Sequence, residues 1–122
     1  MMTTTAPRPA YKRGDIILVL FPHSDLRTAK TRPALIIQAD NLQTELSQVI
    51  VGMITSRLFR AEHPSRVGIH RSAPTGLQSG LLADSVVMTD NIATKVENAI
   101  ERVSGHIPMA QVDSALRHTL SL

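Results

Sequence analysis

The chain's 122 residues include ten arginines, five histidines and ten carboxylates but no cysteine, and those types bound its chemistry. Without a thiol there is no disulfide, no thiolate nucleophile and no sulfur-based metal site. The histidines, His23, His63, His70, His106 and His118, never fall at the i, i+4 spacing by which a helix presents a metal pair. No glycine-rich phosphate loop and no nucleophile elbow is present. What remains is proton transfer by Asp, Glu or His and charge stabilisation by Arg. RNA cleavage can run on that set without a cofactor. The 2′-OH attacks the adjacent phosphate once a base removes its proton, a cation offsets the charge of the pentavalent phosphorus, and an acid protonates the leaving oxygen. The planar guanidinium suits the second task because it donates two hydrogen bonds at once.

The formal net charge is +3 and the isoelectric point is near 10.0. Arg supplies ten of the thirteen basic residues, which raises the odds of a phosphate-bearing partner, the alternative being a merely solvated surface with no partner. The longest strongly apolar run, residues 16–21, is too short to span a bilayer, and residues 1–10 lack the apolar core of a signal peptide. The expectation is a cytoplasmic protein with no membrane segment, with residues 1–10 a flexible tail and 11–122 a single domain.

The elements that must position this chemistry are mostly strands. Residues 16–21 are continuously apolar and read as a strand covered on both faces, stopped by Pro22. Residues 23–31 are polar and read as a loop. Residues 34–37 form a second buried strand, with Pro33 near its start. Residues 40–47 are a loop or a short helix. Residues 49–54 are a third strand, in which Gly52 marks either a bulge or a close backbone approach. Residues 57–64 read as loop, 66–70 as a fourth strand, 73–80 as turn and 85–88 as a fifth strand. Residues 93–101 are polar with scattered apolar positions, and Gly105 lies in a last short strand. Pro108 then opens a helix whose apolar stripe is Val112, Ala115, Leu116 and Leu120. Short strands closed by a helix predict a mainly β (α+β) fold, a small barrel plus a C-terminal α-helix. With three aromatic residues in all, the core must be built from Ile, Leu, Val and Met.

Several segments in fixed order resemble the MazF/PemK toxins, endoribonucleases of type II toxin–antitoxin systems. They are Gly14-Asp15-Ile16-Ile17 followed by Phe21-Pro22, Thr31-Arg32-Pro33-Ala34-Leu35-Ile36-Ile37, Ile54-Thr55-Ser56, and Asp84-Ser85-Val86-Val87 leading to Asp90. The resemblance runs from about Tyr11 to Leu122. It implies an SH3-like barrel paired into a homodimer, metal-independent cleavage of single-stranded RNA (mRNA) with a 2′,3′-cyclic phosphate product, no cofactor, and restraint by a cognate antitoxin. It assigns Arg32 as the catalytic arginine, Thr55 as the hydroxyl that helps hold the scissile phosphate with Ser56 beside it, and Asp90 as the base. Two positions depart from the pattern. Met88 stands where PemK-like members carry an arginine, and Arg27 stands where many MazF-like members carry a glutamate, with Asp25 nearby. Proton transfer therefore rests with Asp25 or Asp90, and His23 is a further titratable group in the same loop. Arg27, Lys30, Arg57 and Arg60, in the two loops flanking this site, join Ser56 as the expected RNA contacts. The rival reading is a non-catalytic barrel of regulatory role that binds nucleic acid or an antitoxin peptide, since an arginine and a hydroxyl can hold a phosphate without cutting it.

Overall fold

Strands that are apolar at consecutive positions need cover on both sides, and this chain folds a single sheet between two apolar layers. The structure, a computed structural model, describes residues 11–22 and 29–122. Strands β1 (Asp15–Pro22), β2 (Ala29–Ile36), β3 (Gln48–Thr55), β4 (Arg66–Ile69), β5 (Ser85–Val96) and β6 (Ile100–His106) pair antiparallel in the order β4-β5-β3-β2-β1-β6. A 3-10 turn (Leu58–Ala61) precedes β4. Helix α1 (Pro74–Ser79) follows it, and helix α2 (Ala110–Leu120) ends the fold.

Successive side chains of one strand enter different layers, as the two-residue period requires. Ile17, Val19, Ala34, Ile36, Val49, Val51, Met53, Val86 and Met88 form one buried cluster. Ile16, Leu35, Ile54, Val87 and Ile107 face the other way and pack with Val112 of α2. Around the first cluster the sheet curls. The Lys95 ammonium of β5 lies 3.6 Å from the centre of the Phe21 ring of β1, although β3 and β2 separate their strands in the ladder. The mainly β architecture with its C-terminal helix is the expected one. Among the described residues the ladder stays open between β4 and β6, so the barrel form comes from curling and not from hydrogen-bonded closure.

Gly52 sits at a bulge. Gly52 pairs with Ile92 and Met53 with Met88, so β5 inserts Thr89, Asp90 and Asn91 opposite a single step of β3. Of the two readings of this glycine the bulge is the one realised, since a Cβ there would find only ordinary contacts at 3.7 Å.

Several boundaries differ from the sequence expectation. β2 begins at Ala29, so Lys30, Thr31 and Arg32 are strand residues and not loop residues; cross-strand pairing with β1 overrides their polar character. Residues 73–80 hold a helix in place of a turn, with Pro74 in its first turn and Gly80 at φ 70° as its left-handed cap. Residues 57–64 contain the 3-10 turn. Residues 93–96, of which Thr94 and Lys95 are polar, continue β5, because pairing with β3 satisfies their backbone. Helix α2 starts at Ala110, two residues past Pro108, and its first bond runs from the Asp113 N–H to the Met109 carbonyl. Val112 and Ala115 are buried, whereas Leu120 at the end of the expected stripe is exposed. Residues 40–47 form no helix, and Asn41, Gln43 and Glu45 have positive φ. The expected tail, residues 1–10, lies outside the described residues. No described helix is long and apolar enough to cross a membrane.

Candidate functional site

Register decides which of the expected residues meet. β2 pairs with β3 as Ala34 with Met53, Leu35 with Gly52 and Ile36 with Val51. Arg32 and Thr55 lie two residues beyond the last paired residues of that ladder, Ala34 and Met53, and so leave it on the same face. Arg32 also pairs with Val19 of β1, and Thr55 with Val86 of β5. Arg32 is exposed, and among the described residues it makes no hydrogen bond or ion pair, so its five N–H donors are open to a ligand. The Thr55 hydroxyl oxygen accepts the Arg57 N–H at 3.2 Å, which leaves the Thr55 O–H proton free to donate elsewhere. A cationic fork and a hydroxyl donor that leave the end of one ladder on the same face can grip two oxygens of one phosphate.

The next row along the same face runs Ala34, Met53, Met88 and Arg66. Arg60 approaches Met88, with Nη1 3.8 Å from Sδ, and its guanidinium lies 5.7 Å from the Phe59 ring. Ser56 and Arg57 follow Thr55 on the exposed turn, and Lys30 is exposed on β2 opposite Phe21. Lys30, Arg32, Arg57 and Arg60 have no carboxylate partner among the described residues, so their positive charge is uncompensated. Asp25, Arg27 and His23 lie outside the described residues.

Asp90 projects from the bulge, and Arg66 grips it with Nη2 2.8 Å from Oδ2 and Nε 3.4 Å from Oδ1. This bond holds the Asp90 carboxyl below the ordinary carboxylate range, and His63 adds to the effect; it also raises Arg66. Asp90 is therefore an ionised, engaged group, and among the described residues it has no hydrogen bond to Arg32 or Thr55. No described group of three His, Cys, Asp or Glu residues is arranged to hold a metal.

The motif for PemK-like, MazF-like toxins of type II toxin–antitoxin systems matches residues 12–120 of this chain. The chain belongs to that toxin family. A curated endoribonuclease MazF from Staphylococcus saprophyticus subsp. saprophyticus is 30% identical over 115 residues, covering 91% of this chain and 92% of the relative. An endoribonuclease in complex with its cognate antitoxin from a mycobacterial species superposes with a TM-score of 0.70 at 22% identity, over 93% of this chain and 97% of that one. A MazE–MazF complex from Deinococcus radiodurans gives a TM-score of 0.69 at 16% identity, over 92% and 96%. At those identities the two structures establish the shared fold.

Two groups escape a reading of the sequence, one beside this site and one away from it. Arg66 lies in a short, weakly alternating strand, and only the β4–β5 register brings it to Met88 and Asp90. Lys95 lies in a polar stretch with no motif. Its alternation with Ala93, opposite Val49 and Val51, is the one signal that it points toward the concave layer.

Proposed function

We propose that this toxin is a metal-independent endoribonuclease that cuts single-stranded RNA in the cytoplasm, works as a homodimer and is restrained by a cognate antitoxin. The observation that carries the reading is that Arg32 and Thr55 leave the end of the β2–β3 ladder on one face, amid cations that have no carboxylate partner among the described residues. The endoribonuclease relative supports it independently, since its alignment spans nearly the whole chain. Arg32 stabilises the pentavalent phosphate, and Thr55 with Ser56 donates hydrogen bonds to its oxygens. Asp25 and Asp90 are the two carboxylates that the resemblance offers for the 2′-OH proton, and of these Asp90 is already engaged by Arg66. Lys30, Arg57, Arg60 and Arg27 attract the RNA backbone.

The test is single-turnover cleavage of a mixed-sequence RNA in EDTA. Wild-type protein yields products ending in a 2′,3′-cyclic phosphate. Arg32→Ala loses about 10²–10³ in rate, as removal of one preorganised donor does, with its melting temperature unchanged. Arg32→Lys rescues poorly because an ammonium cannot reproduce the fork. Thr55→Ala is milder, since a neutral hydroxyl contributes less than a cation. A wild-type protein that binds RNA or an antitoxin peptide yet cuts no sequence overturns the enzymatic reading in favour of a regulator.

A further inference from the structure

Two of the three residues that β5 inserts at its bulge, Thr89 and Asp90, bond to the segment that carries the cationic side chains. The Thr89 N–H and hydroxyl both donate to the Ser65 carbonyl, at 3.1 and 2.5 Å. Asp90 takes two bonds from Arg66, and the third arm of the same guanidinium, Nη1, donates to the Arg60 carbonyl at 3.1 Å. Inside the loop, the Arg66 N–H donates to the His63 carbonyl, the His63 N–H to the Ala61 carbonyl and the Ser65 N–H to the His63 ring Nδ1. Asp90 thus fixes Arg66, and Arg66 fixes the backbone of Arg60. The Arg60 side chain rests against the thioether of Met88, a weak acceptor that holds a guanidinium without neutralising it. A carboxylate in place of Met88 would consume that charge.

We propose that Arg66 and Asp90 are positioning residues: together they hold Arg60 over Met88 as a phosphate-binding cation, and Asp90 influences the reaction through Arg60 and not by accepting a proton. This rests on the endoribonuclease reading above and assigns the proton to a group other than Asp90. It also gives Met88 a role, as the neutral seat of Arg60.

The experiment compares steady-state cleavage by wild type, Arg60→Gln, Asp90→Asn, Arg66→Gln and the double variant Arg60→Gln/Asp90→Asn across a salt series. It is paired with hydrogen exchange of the free proteins. Arg60→Gln raises KM about tenfold and reduces the salt slope by about one, as loss of one phosphate contact does. Asp90→Asn and Arg66→Gln raise KM by a similar factor, keep kcat within about threefold, and speed amide exchange at Ser65 and Arg66. The double variant is no worse than Arg60→Gln alone, because the clasp acts only through that side chain. The proposal is overturned if Asp90→Asn lowers kcat by about 10²–10⁴ in the Arg60→Gln background and removes the acid limb of the pH profile, which is the mark of a general base. Unchanged exchange in the loop overturns it as well. Should wild type neither bind nor cut RNA, the functional reading fails and the exchange arm alone judges the clasp.

Discussion

Arg32 and Thr55 are ordinary residues by type, and what distinguishes them is a register that neither segment specifies alone. Each could be picked out by its place in an ordered set of motifs. That they share one face at one end of the ladder follows only once β2 and β3 are paired. Lys95 shows the opposite case: no motif contains it, yet its surroundings are the more unusual. Its ammonium lies over the Phe21 ring, and burial holds its pKa below the ordinary lysine value of 10.5. The ring returns part of the lost hydration. Desolvation prevails, so folding disfavours the charged form. The unfolded chain then binds more protons between the folded pKa and 10.5, and stability rises with pH across that window. Below it the penalty is present in full. Replacing Lys95 by Met is therefore expected to raise the melting temperature at pH 7. The advantage should shrink as the buffer approaches pH 10.5, and a gain independent of pH would show that packing and not charge is responsible.

At the scale of elements, apolar periodicity located most strands, because both layers of the sheet are filled by runs that only a covered strand can use. It failed where tertiary pairing gives polar residues a place in a ladder, as at Lys30, Thr31, Thr94 and Lys95. It also missed α1, a six-residue helix too short to show a period. That helix is held by close backbone approach. A Cβ on Gly105 of β6 would stand 2.2 Å from the Gln78 carbonyl oxygen and 2.3 Å from Ser79 backbone atoms. Since backbone cannot rotate away as a side chain can, Gly105→Ala must push α1 off β6, at a cost of about 1–3 kcal/mol. Gly68 on β4 is the control, because nothing lies within 4 Å of the same added atom. Gly68→Ala should be neutral or slightly stabilising in the same urea titration. Equal losses at both positions would mean that strand propensity, and not contact with α1, sets the effect.

At the scale of the whole molecule, the apolar surface left outside the two layers bears on assembly. Val49 and Val51 lie in the concave core and add nothing to that surface. Other side chains remain outside. Phe59 is 73% exposed, Leu82 87% and Val96 59%, with Leu58 and Ile92 also exposed. Isolated exposed leucines need no explanation, but a 122-residue chain with one of its two phenylalanines in solvent has apolar area to bury. A two-fold dimer, which buries the same residues of both subunits, is expected to cover part of this area. Light scattering at micromolar concentration should give about twice the 13.3 kDa chain mass. Because association binds the folded state only, the melting temperature should rise with protein concentration. A mass of one chain, with a melting temperature that ignores dilution, would leave Arg32 and Thr55 to act on a single subunit's surface. The exposed aromatic ring next to Arg60 would then be free to stack on a nucleobase, and Phe59→Ala would weaken RNA binding without altering the mass. In a dimer the outcome differs according to what Phe59 meets. If it lies in the interface, the same substitution lowers the mass first and RNA binding only as a consequence. Measuring both quantities on one variant thus separates a ring that reads RNA from a ring that holds two subunits together.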